Sequence, residues 1–393
     1  MKIGIDALSL IPGRTGGMET FFVKIIEMLG RLDSRNEYVI FALPEAGERL
    51  NLGYSNIKVH TCRSLHTPGL TVPFRLLYEQ IALPSLIKAL DIDVMLFPAS
   101  ICSWRCPCKS LLIVVDFIAA YYAEHFPGKL GIIKERLLPW MIGVSARRAT
   151  KIAAISEFTK RDLCKRFAIP EERVEVVYLG TDRRISDFAK ESTAVELPGS
   201  VREPFILFVG YQHLHKNLVR LVRAFAKVKA RKNIPHMLVL AGKEESGTHD
   251  LRRELDRLQS DSIVDLGFVS SEVISALYRR ASLFVYPSLI EGFGLPPLDA
   301  MACGVPVAAS NAGAIPEVVG DAAILFDPHS EEDIARALEQ VLLDDTLRNE
   351  LVKKGYERIS SNMFSWERTT EQIVDLLERL GDNSATHREE VLN

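Results

Sequence analysis

The sequence predicts an α/β protein built from two doubly wound, Rossmann-like domains that face each other across a cleft. Its 393 residues exceed what a single hydrophobic core usually organises. Short runs rich in Val, Ile and Leu alternate with helical patterns, which is typical of a parallel sheet covered by helices on both faces. The alternation stops in a polar, turn-rich stretch and then begins again, which indicates two such domains. Ligands of these sheets bind at the carboxyl ends of strands, so the cleft is the expected site.

The apolar runs that predict strands fall into two series. The first series comprises 2–7, 37–43, 57–62, 93–97, 110–115, 151–155 and 174–178. The second comprises 205–209, 236–241, 263–267, 283–286, 305–309 and 322–326, with helices around 217–230, 271–281, 295–303, 330–344 and 346–360. We therefore predict an N-terminal domain over 1–185, a linker over 186–203, a C-terminal domain over 204–363, a final helix over 364–380 and a polar tail over 381–393.

The composition is that of a soluble globular enzyme, with 47% hydrophobic and 25% charged residues. No apolar stretch is long enough to span a membrane, and the first residues are typical of a strand rather than a signal peptide. We therefore expect a cytoplasmic protein. The six cysteines include a Cys-x3-Cys-x-Cys cluster, whose spacing is not that of a zinc site. Reduced thiols without a bound metal are the expectation.

The charge is distributed unevenly along the chain. The net charge of −3 combines +6 for residues 1–190, with 26 basic against 20 acidic side chains, and −9 for the rest, with 22 against 31. Part of the basic excess falls between Lys129 and Lys151, where apolar residues, Trp140 and several cations are interleaved. Two interpretations are open for this segment. It is either a helix on an anionic membrane surface, at the inner face, or an amphipathic helix packed on the sheet of its own domain.

The most informative motif runs from Glu291 to Asp299. It follows the apolar run 283–286, and its glycines let the backbone approach a ligand where a Cβ would clash. Pro296 and Pro297 suit the first turn of a helix, whose spare N–H groups and positive dipole end attract phosphate or hydroxyl oxygens. Because eight residues make a little over two helical turns, Glu291 is expected at the mouth and Asp299 further along one face. The spacing predicts a sugar-nucleotide site, and the alternative is an ordinary helix start with a solvated acid.

Two further loops follow predicted strands. In the second domain Gly210 ends a strand, and His215 and Lys216 precede the next helix, where a cation can meet the charge of a leaving pyrophosphate. A solvated lysine is the alternative interpretation of Lys216. In the first domain, Gly16 and Gly17 lie in a glycine loop between strand and helix. This loop lacks Gly-x-Gly-x-x-Gly, which argues against a nicotinamide-dependent enzyme.

Taken in order, these motifs resemble glycosyltransferase family 4, the retaining group 1 glycosyltransferases of the GT-B architecture. The resemblance covers most of the chain, and the ordered set of motifs is specific. The matching segments are Gly16-Gly17, Ser156-Glu157-Phe158-Thr159-Lys160, Gly180-Thr181-Asp182, Val209-Gly210, His215-Lys216-Asn217, Gly267-Phe268-Val269, 287–294, 304–307 and 316–320.

The resemblance implies a role for the matching residues. Lys216 would bind the diphosphate, Glu291 the donor sugar and Asp299 the ribose hydroxyls, although Asp299 is one methylene shorter than the glutamate usual in the family. The N-terminal domain would bind the acceptor, and the final helix would cross back onto it. The nucleotide-sugar site implied in this way comprises Gly16, Gly17, Gly210, His215, Lys216, Val269, Glu291, Gly292, Phe293, Gly294, Leu295 and Asp299.

One departure from the family pattern bears on catalysis. The strand-end His-Asp pair of the first domain appears here as Val115-Asp116, and a valine side chain cannot form a hydrogen bond. Asp116 is either functional or only a cap of the following segment. The chain is therefore either an active transferase or a catalytically silent scaffold that still binds nucleotide.

We expect the active transferase, with Glu291, Lys216 and Asp116 as its catalytic residues. By the resemblance, a hexose, preferably mannose, would move with retention from GDP-mannose or a UDP-hexose to a hydroxyl of a cell-surface glycan or lipid-linked oligosaccharide, in polysaccharide biosynthesis. The departing phosphate would take the acceptor proton. Lys216 and the helix start would offset the phosphate charge, so no metal or other cofactor is expected. Nucleic acid is not an expected partner.

Overall fold

The computed structural model describes residues 1–13, 17–62, 71–181, 195–244 and 249–382. The chain divides into two compact units. Unit 1 comprises Met1–Gly180 and the segment that starts at Ser365, and unit 2 comprises Thr181–Phe364. Each unit has its own parallel sheet and its own buried core.

The described part of unit 1 is a parallel sheet with helices around it. Its strands are β1 (Lys2–Asp6), β2 (Glu37–Ala42), β3 (Ile57–Thr61), β4 (Val94–Phe97), β5 (Lys109–Val114), β6 (Lys151–Ala154) and β7 (Val174–Val176). They pair in the order β3-β2-β1-β4-β5-β6-β7. Its helices are α1 (Gly17–Leu32), α2 (Pro44–Leu50), α3 (Thr71–Ala89), α4 (Ile118–His125), α5 (Ile132–Arg148), α6 (Glu157–Phe167) and a last helix over Trp366–Gly381.

The strand order of unit 1 places a switch point beside β1. From β1 the chain builds β2 and β3 on one side and then returns to place β4 on the other. The central strands are buried along their length, as in Val-Met-Leu-Phe of β4, because helices cover both faces of the sheet. A switch point of this kind leaves a crevice at the carboxyl ends of the strands, where ligands of doubly wound sheets bind.

The described part of unit 2 repeats this plan with fewer strands. Its strands are β8 (Phe205–Val209), β9 (Met237–Ala241), β10 (Ile263–Asp265), β11 (Leu283–Tyr286), β12 (Val307–Ser310) and β13 (Ala323–Phe326), paired in the order β10-β9-β8-β11-β12-β13. Its helices are α7 (Leu218–Lys232), α8 (His249–Leu258), α9 (Ser271–Arg280), α10 (Leu295–Ala302), α11 (Ile315–Val319), α12 (Glu331–Leu343) and α13 (Asp345–Ser360). The switch point of this sheet lies between β8 and β11.

The last helix, α14 (Trp366–Gly381), belongs to unit 1 although unit 2 precedes it in the chain. Ser365 caps it, since its hydroxyl accepts a hydrogen bond from the backbone N–H of Arg368 at 3.1 Å. The ring of Trp366 lies 6.1 Å from that of Phe21 on α1. The hydroxyl of Thr369 donates to the carbonyl of Tyr178 at 2.7 Å. This amphipathic helix therefore completes the core of unit 1.

The prediction of two doubly wound, Rossmann-like α/β sheets is confirmed. Every strand predicted from the apolar runs is present within a few residues, and so are the five helices predicted for the second series. Local apolar patterning is sufficient here because parallel strands buried on both faces read as continuous apolar runs. Residues 186–194 of the predicted linker and 383–393 of the predicted tail lie outside the described residues.

The basic, Trp-containing segment between Lys129 and Lys151 forms α5. Met141, Ile142 and Ala146 are buried in unit 1, so this helix is the packed amphipathic helix of one of the two interpretations. Its other side is open, because Leu137 is 41% and Trp140 52% exposed. Contact of that side with a membrane stays a prediction.

Candidate active site

An ion pair between Lys216 and Glu291 is the central feature of the candidate site. The Nζ atom of Lys216 lies 2.6 Å from Oε1 of Glu291. Lys216 ends the 3₁₀ turn Leu214–Lys216 that follows β8, and Glu291 follows β11. Because β8 and β11 are neighbouring parallel strands, the two side chains meet at the switch point of the sheet. The interpretation of Lys216 as an ordinary solvated lysine is therefore wrong, since its side chain is only 12% exposed.

Tyr286, the last residue of β11, completes this cluster. Its hydroxyl accepts a hydrogen bond from Nζ of Lys216 at 2.9 Å, and the same Nζ lies 5.1 Å from the centre of its ring. Burial and the neighbouring Glu291 carboxylate raise the pKa of the Tyr286 phenol well above its usual value, so the hydroxyl stays neutral. In the sequence, Tyr286 is visible only as part of an apolar run. Its position at a strand end is the signal that could have singled it out.

His215 is buried beside Lys216, with only 4% of its surface exposed. Burial lowers the pKa of its imidazole well below the usual value, and the charges of Lys216 and His213 lower it further. The ring therefore stays neutral near neutral pH, and it stacks on His213 with 5.4 Å between ring centres. Its carbonyl accepts the N–H of Leu289 at 2.7 Å, which ties the loop after β8 to the loop after β11.

Asn217, which follows Lys216 in the chain, also connects the loop after β8 to the loop after β11. Its backbone is left-handed, with φ of 62°, which asparagine tolerates better than most residues. Its amide Nδ2 donates to the carbonyl of Pro287 at 3.1 Å and to that of Pro328 at 2.7 Å. These bonds connect the start of α7 to the segments that follow β11 and β13. The sequence contains Asn217 within a recognised motif, but no local pattern predicts these partners, which are 70 and 111 positions away.

The glycine-rich segment after Glu291 leads into α10, as predicted. Gly294 precedes the helix with φ of 106°, a conformation that favours glycine, and Pro296 lies in the first turn. A Cβ on Gly313 would lie 2.7 Å from the backbone N and O of Glu291, so only glycine allows this approach. The N–H of Ala314 then donates to the Glu291 carbonyl at 3.1 Å. The backbone on both sides of Glu291 is thereby fixed.

One geometric expectation for this motif is wrong. Glu291 and Asp299 do not lie along one face of a helix, because α10 begins only at Leu295. The residues between Glu291 and Leu295 form the glycine turn, so Glu291 lies outside the helix that contains Asp299. Glu291 is buried, with 7% exposure, and Asp299 is half-buried within α10. Phe293, between them, turns its ring toward Phe364, with 6.0 Å between ring centres.

Two further predicted residues lie at carboxyl ends of the same sheet. Gly210 follows β8, and its N–H donates to the carbonyl of Ala241 at 2.9 Å. Val269 follows β10 and is half-buried, beside a Phe268 side chain that is 78% exposed. The strand topology thus brings Gly210, Val269, Lys216 and the glycine-rich segment to one edge of unit 2. Their contacts with a nucleotide stay predictions.

The glycine loop of unit 1 is described only in part. Gly16 lies outside the described residues, and Gly17 is the exposed first residue of α1. The N–H of Gly13 donates to the Glu19 carboxylate at 2.7 Å, and Glu19 also pairs with Arg49 at 2.6 Å. Gly13, the last described residue before the gap, is therefore anchored to α1. The role of the glycine loop in phosphate binding stays a prediction.

Local hydrogen bonds hold Val115 and Asp116, the two residues at the position of the family's His-Asp pair. The Oδ1 atom of Asp116 accepts the N–H of Ile118 at 3.0 Å, at the start of α4. The N–H of Val115 donates to the Ser100 hydroxyl at 3.0 Å, and the Thr159 hydroxyl donates to its carbonyl at 3.3 Å. Asp116 is thus a cap of the following segment, as one of the two interpretations predicted. A catalytic role for it stays a prediction.

The sequence does not single out two acids of unit 1 that the structure shows to be buried. Asp6 ends β1 at the switch point, and Glu79 lies on α3, with 6% and 3% exposure. Burial raises the pKa of Asp6 to about 6. Burial and the charge of Asp6 raise that of Glu79 to about 8, although Arg75, 3.2 Å from Glu79, opposes the shift. Asp6 was visible as the acidic end of the first strand, but only the fold brings α3 near it.

In the part of the chain that the structure describes, no three His, Cys, Asp or Glu side chains are grouped so that they could hold a metal ion. No helix among the same residues is long and apolar enough to cross a membrane.

Comparison with known proteins assigns the chain to a class of enzymes. One family model, described as Glycosyltransferase Family 4, matches residues 15–184, and a second, described as Glycosyl transferases group 1, matches 190–358. The two matches follow one another along both units. The chain belongs to the group 1 glycosyltransferases of family 4, which is the family that its motifs resemble.

Several relatives carry mannosyltransferase names. The chain is 32% identical over 233 residues to O-antigen chain mannosyltransferase B of Escherichia coli, a match that covers 58% of this chain and 60% of that protein. It is 34% identical over 244 residues to the serotype-specific mannosyltransferase WbdA of Escherichia coli, covering 60% of this chain and 30% of that protein. The chain thus matches less than two thirds of the length of either relative.

Solved structures confirm the GT-B architecture. Sucrose-phosphate synthase from Thermosynechococcus elongatus superposes with a TM-score of 0.75 at 20% identity, over 97% of this chain and 99% of that chain. Anabaena HepE in complex with UDP superposes with a TM-score of 0.69 at 18% identity, over 96% and 99%. At such identities the likeness shows the fold alone.

Proposed function

We propose that this chain is a retaining glycosyltransferase that moves a hexose from a nucleoside diphosphate sugar to a hydroxyl of a glycan. The observation that carries the proposal is the buried Lys216–Glu291 pair, which lies at the switch point of unit 2 beside the start of α10. A cation and a helix N-terminus suit a diphosphate, and a carboxylate suits sugar hydroxyls. The names of the relatives favour mannose as the sugar, hence GDP-mannose before a UDP-hexose.

Lys216 is the group that meets the leaving diphosphate. An ammonium group has three N–H donors, and the contacts in the described part of the chain use two of them, to Glu291 and Tyr286. One donor is left for a phosphate oxygen. The charge that develops on the leaving group would thus meet a cation that is already positioned, which is the condition for strong electrostatic stabilisation.

Glu291 and Asp299 act on the two sugars of the donor. Glu291 accepts hydrogen bonds from hydroxyls of the transferred hexose, and Asp299 from those of the ribose. The departing phosphate oxygen takes the acceptor proton, so that transfer with retention needs no protein base. Lys216 and the N–H groups of α10 take the place of a metal ion against the phosphate charge. The acceptor, a cell-surface glycan or a lipid-linked oligosaccharide, binds to unit 1.

A second candidate function is that of a silent scaffold, which binds nucleotide without transferring sugar. Val115 favours it, because its side chain cannot form the hydrogen bond that the family's histidine makes. Its backbone is held at Ser100 and Thr159, so the loop is ordered without that histidine. The two functions differ in whether a donor is ever cleaved.

Slow hydrolysis of the donor in water tests the proposal, because it requires no knowledge of the acceptor. We expect the wild type to release GDP from GDP-mannose, or UDP from a UDP-hexose. The Glu291→Gln variant should bind the nucleoside diphosphate but release little of it from the sugar donor, since the amide keeps the shape and loses the charge. Glu332→Gln, on the exposed surface of the same unit, is the matched control and should behave as the wild type.

The scaffold is the correct function if the wild type cleaves no GDP- or UDP-sugar, and Val115→His does not restore cleavage. Thermal melting in the presence of GDP, UDP and their sugar conjugates identifies the nucleobase independently of catalysis. At a ligand concentration about 100 times its Kd, binding adds about 2.7 kcal/mol, which raises Tm by several degrees.

We also propose that unit 1 contacts an anionic membrane surface. Leu137 and Trp140 on α5 are exposed, and so are Leu77 and Ile81 on α3, at 54% and 65%. The two helices are connected through Trp104, whose N–H donates to Gln80 of α3 at 2.8 Å and whose ring packs edge-on against Trp140. The exposed cations of α5 are Lys134, Arg136, Arg147 and Arg148. Apolar side chains bordered by cations suit the interface of a membrane with anionic lipids.

Vesicle binding tests the contact. We expect binding to vesicles that contain phosphatidylglycerol, release at high salt because exposed charges are screened, and weaker binding of Leu137→Ser. Leu343→Ser, at a leucine of unit 2 that is 57% exposed, is the matched control and should bind as the wild type. Equal binding to neutral vesicles, or equal loss in both variants, would contradict the proposal.

A further inference from the structure

Three cysteines of unit 1 lie on the loop between β4 and β5, and two of them are in contact. The Sγ atoms of Cys106 and Cys108 are 3.8 Å apart. Both side chains are half-buried, while Arg105 and Pro107 beside them are exposed, so the pair lies at the surface of the unit. Cys102 is different, because it is buried and its Sγ faces the carbonyl of Ser145 at 3.6 Å.

The loop holds the two thiols together. The N–H of Cys106 donates to the Ser103 carbonyl at 3.2 Å, and the N–H of Trp104 donates to Gln80. Pro107, between the cysteines, restricts the backbone of the segment. A disulfide has an S–S distance of about 2.05 Å, so bond formation requires the sulfurs to approach by less than about 2 Å. Side-chain rotation with a small backbone adjustment can supply such a movement.

We propose that Cys106 and Cys108 form a dithiol modification site, which low-molecular-weight disulfides such as oxidised glutathione convert to an intramolecular disulfide. The Cys106 thiolate attacks one sulfur of oxidised glutathione and displaces a first glutathione thiolate. Cys108 then attacks Sγ of Cys106 and displaces the second. Two protein thiols are oxidised, one glutathione disulfide is reduced, and the two thiol protons leave with the two glutathione molecules.

The contact between the two sulfurs also determines which cysteine attacks glutathione first. A hydrogen bond between the two sulfurs, in which either thiol can be the donor, lowers the pKa of Cys106 and favours its thiolate. The same hydrogen bond, together with burial, raises the pKa of Cys108. Cys106 is therefore the attacking residue and Cys108 the resolving residue.

The other cysteines provide internal controls. Cys62 and Cys102 are buried, and burial raises the pKa of Cys303 to about 12. Cys164 is half-buried, like the pair, but burial raises its pKa, and among the described residues no second cysteine contacts it. A thiol of this kind reacts more slowly and can form only a mixed disulfide.

The experiment exposes the folded full-length protein to oxidised glutathione, alkylates the remaining thiols and identifies each cysteine by peptide mass. We expect the peptide with Cys106 and Cys108 to lose two hydrogens, about tenfold or more faster than Cys164 takes up glutathione. Cys108→Ser should accumulate glutathione on Cys106, and Cys164→Ser should form the disulfide as the wild type does. Thermal melting of each variant establishes that it is folded.

A second reagent tests the geometry without oxidation. Phenylarsine oxide bridges two neighbouring thiols with release of water, so we expect one arsenic atom bound per wild-type chain and none in Cys106→Ser or Cys108→Ser. The proposal is overturned if the wild type carries only a mixed disulfide on Cys106, if Cys164 reacts first, or if arsenic binding survives in both serine variants. None of these readouts depends on glycosyl transfer, so the proposed function and the dithiol site can fail separately.

Discussion

In unit 2 the buried ammonium of Lys216 lies 2.6 Å from the carboxylate of Glu291, whereas in unit 1 two buried acids, Asp6 and Glu79, share the influence of one cation, Arg75. Both groups lie at the switch points of parallel sheets. In unit 2 the ammonium and the carboxylate each lie beside an opposite charge. In unit 1 the acids outnumber the cation, and their raised pKa values show that burial favours the protonated forms.

The two charge arrangements predict which substitutions each site tolerates. Removing one partner of a buried ion pair leaves the other charge unpaired in a low-dielectric place, which is costly. Replacing a buried acid that is already largely neutral removes little. Unit 2 should therefore be sensitive to substitution at its charged residues, and unit 1 should be tolerant of a neutral side chain at Glu79.

The largest expected effect concerns Lys216. We predict that Lys216→Ala lowers the rate of nucleotide release from the sugar donor by about 100-fold or more, as for loss of an oxyanion-type donor. The measurement is the single-turnover rate with saturating donor. Lys227→Ala, on the exposed side of α7 where the lysine pairs with Glu331 at 2.8 Å, should stay near the wild-type rate. A Lys216→Ala protein that is folded and turns over normally would remove Lys216 from the proposed mechanism.

The next effect concerns the backbone that carries the pair. Asn217→Ala removes two buried hydrogen bonds to the carbonyls of Pro287 and Pro328 and leaves those carbonyls without these partners. We predict a loss of about 2 kcal/mol in the free energy of unfolding, measured by urea titration. Asn233→Ala is the matched control, because Asn233 is also left-handed, with φ of 46°, but lies exposed at the end of α7. Equal losses at the two positions would mean that only the backbone conformation matters.

The sequence predicts far more of the Lys216–Glu291 site in unit 2 than of the buried acids in unit 1, for a physical reason. The segment from Glu291 to Leu295 is contiguous, so its glycine turn and its helix start can be read from local preferences alone. Lys216 was found in the same way, as a cation between a strand and a helix. What no local pattern contains is that the two side chains pair, since 75 positions separate them and only the β8–β11 pairing brings them together.

In unit 1 the important neighbours are distant in the chain. Asp6 and Glu79 belong to a strand and a helix that no short motif connects, and burial, which shifts their pKa values, is a property of the fold. Asp116 is a second residue of unit 1 whose role could not be decided from the sequence. Its residue type allowed both a catalytic and a capping role, and the hydrogen bond from Ile118 at 3.0 Å is visible only in the structure.

The smallest expected effect tests the acid-rich site of unit 1 through its pH dependence. The folded-state pKa of Glu79, about 8, lies above its ordinary value of 4.5, so the folded protein binds more protons between these two values. The wild type therefore loses stability from this group as the pH rises from about 4.5 to about 8. A glutamine does not ionise, so Glu79→Gln should escape this loss.

We predict that Glu79→Gln melts close to the wild type near pH 5 and above it near pH 9. At about 1.4 kcal/mol per pKa unit the full shift is an upper bound, and relaxation around the ionised carboxylate reduces the expected gain at the higher pH to the order of 1 kcal/mol, or about 3 °C in Tm for a unit of this size. Glu48→Gln, at an exposed residue of α2, should give the same small difference at both values. If the difference between Glu79→Gln and the wild type does not grow with pH, Glu79 is ionised in the folded protein, held so by Arg75. The contrast between an ion-paired site in unit 2 and a proton-carrying site in unit 1 would then be lost, because both sites would balance a buried carboxylate with a cation.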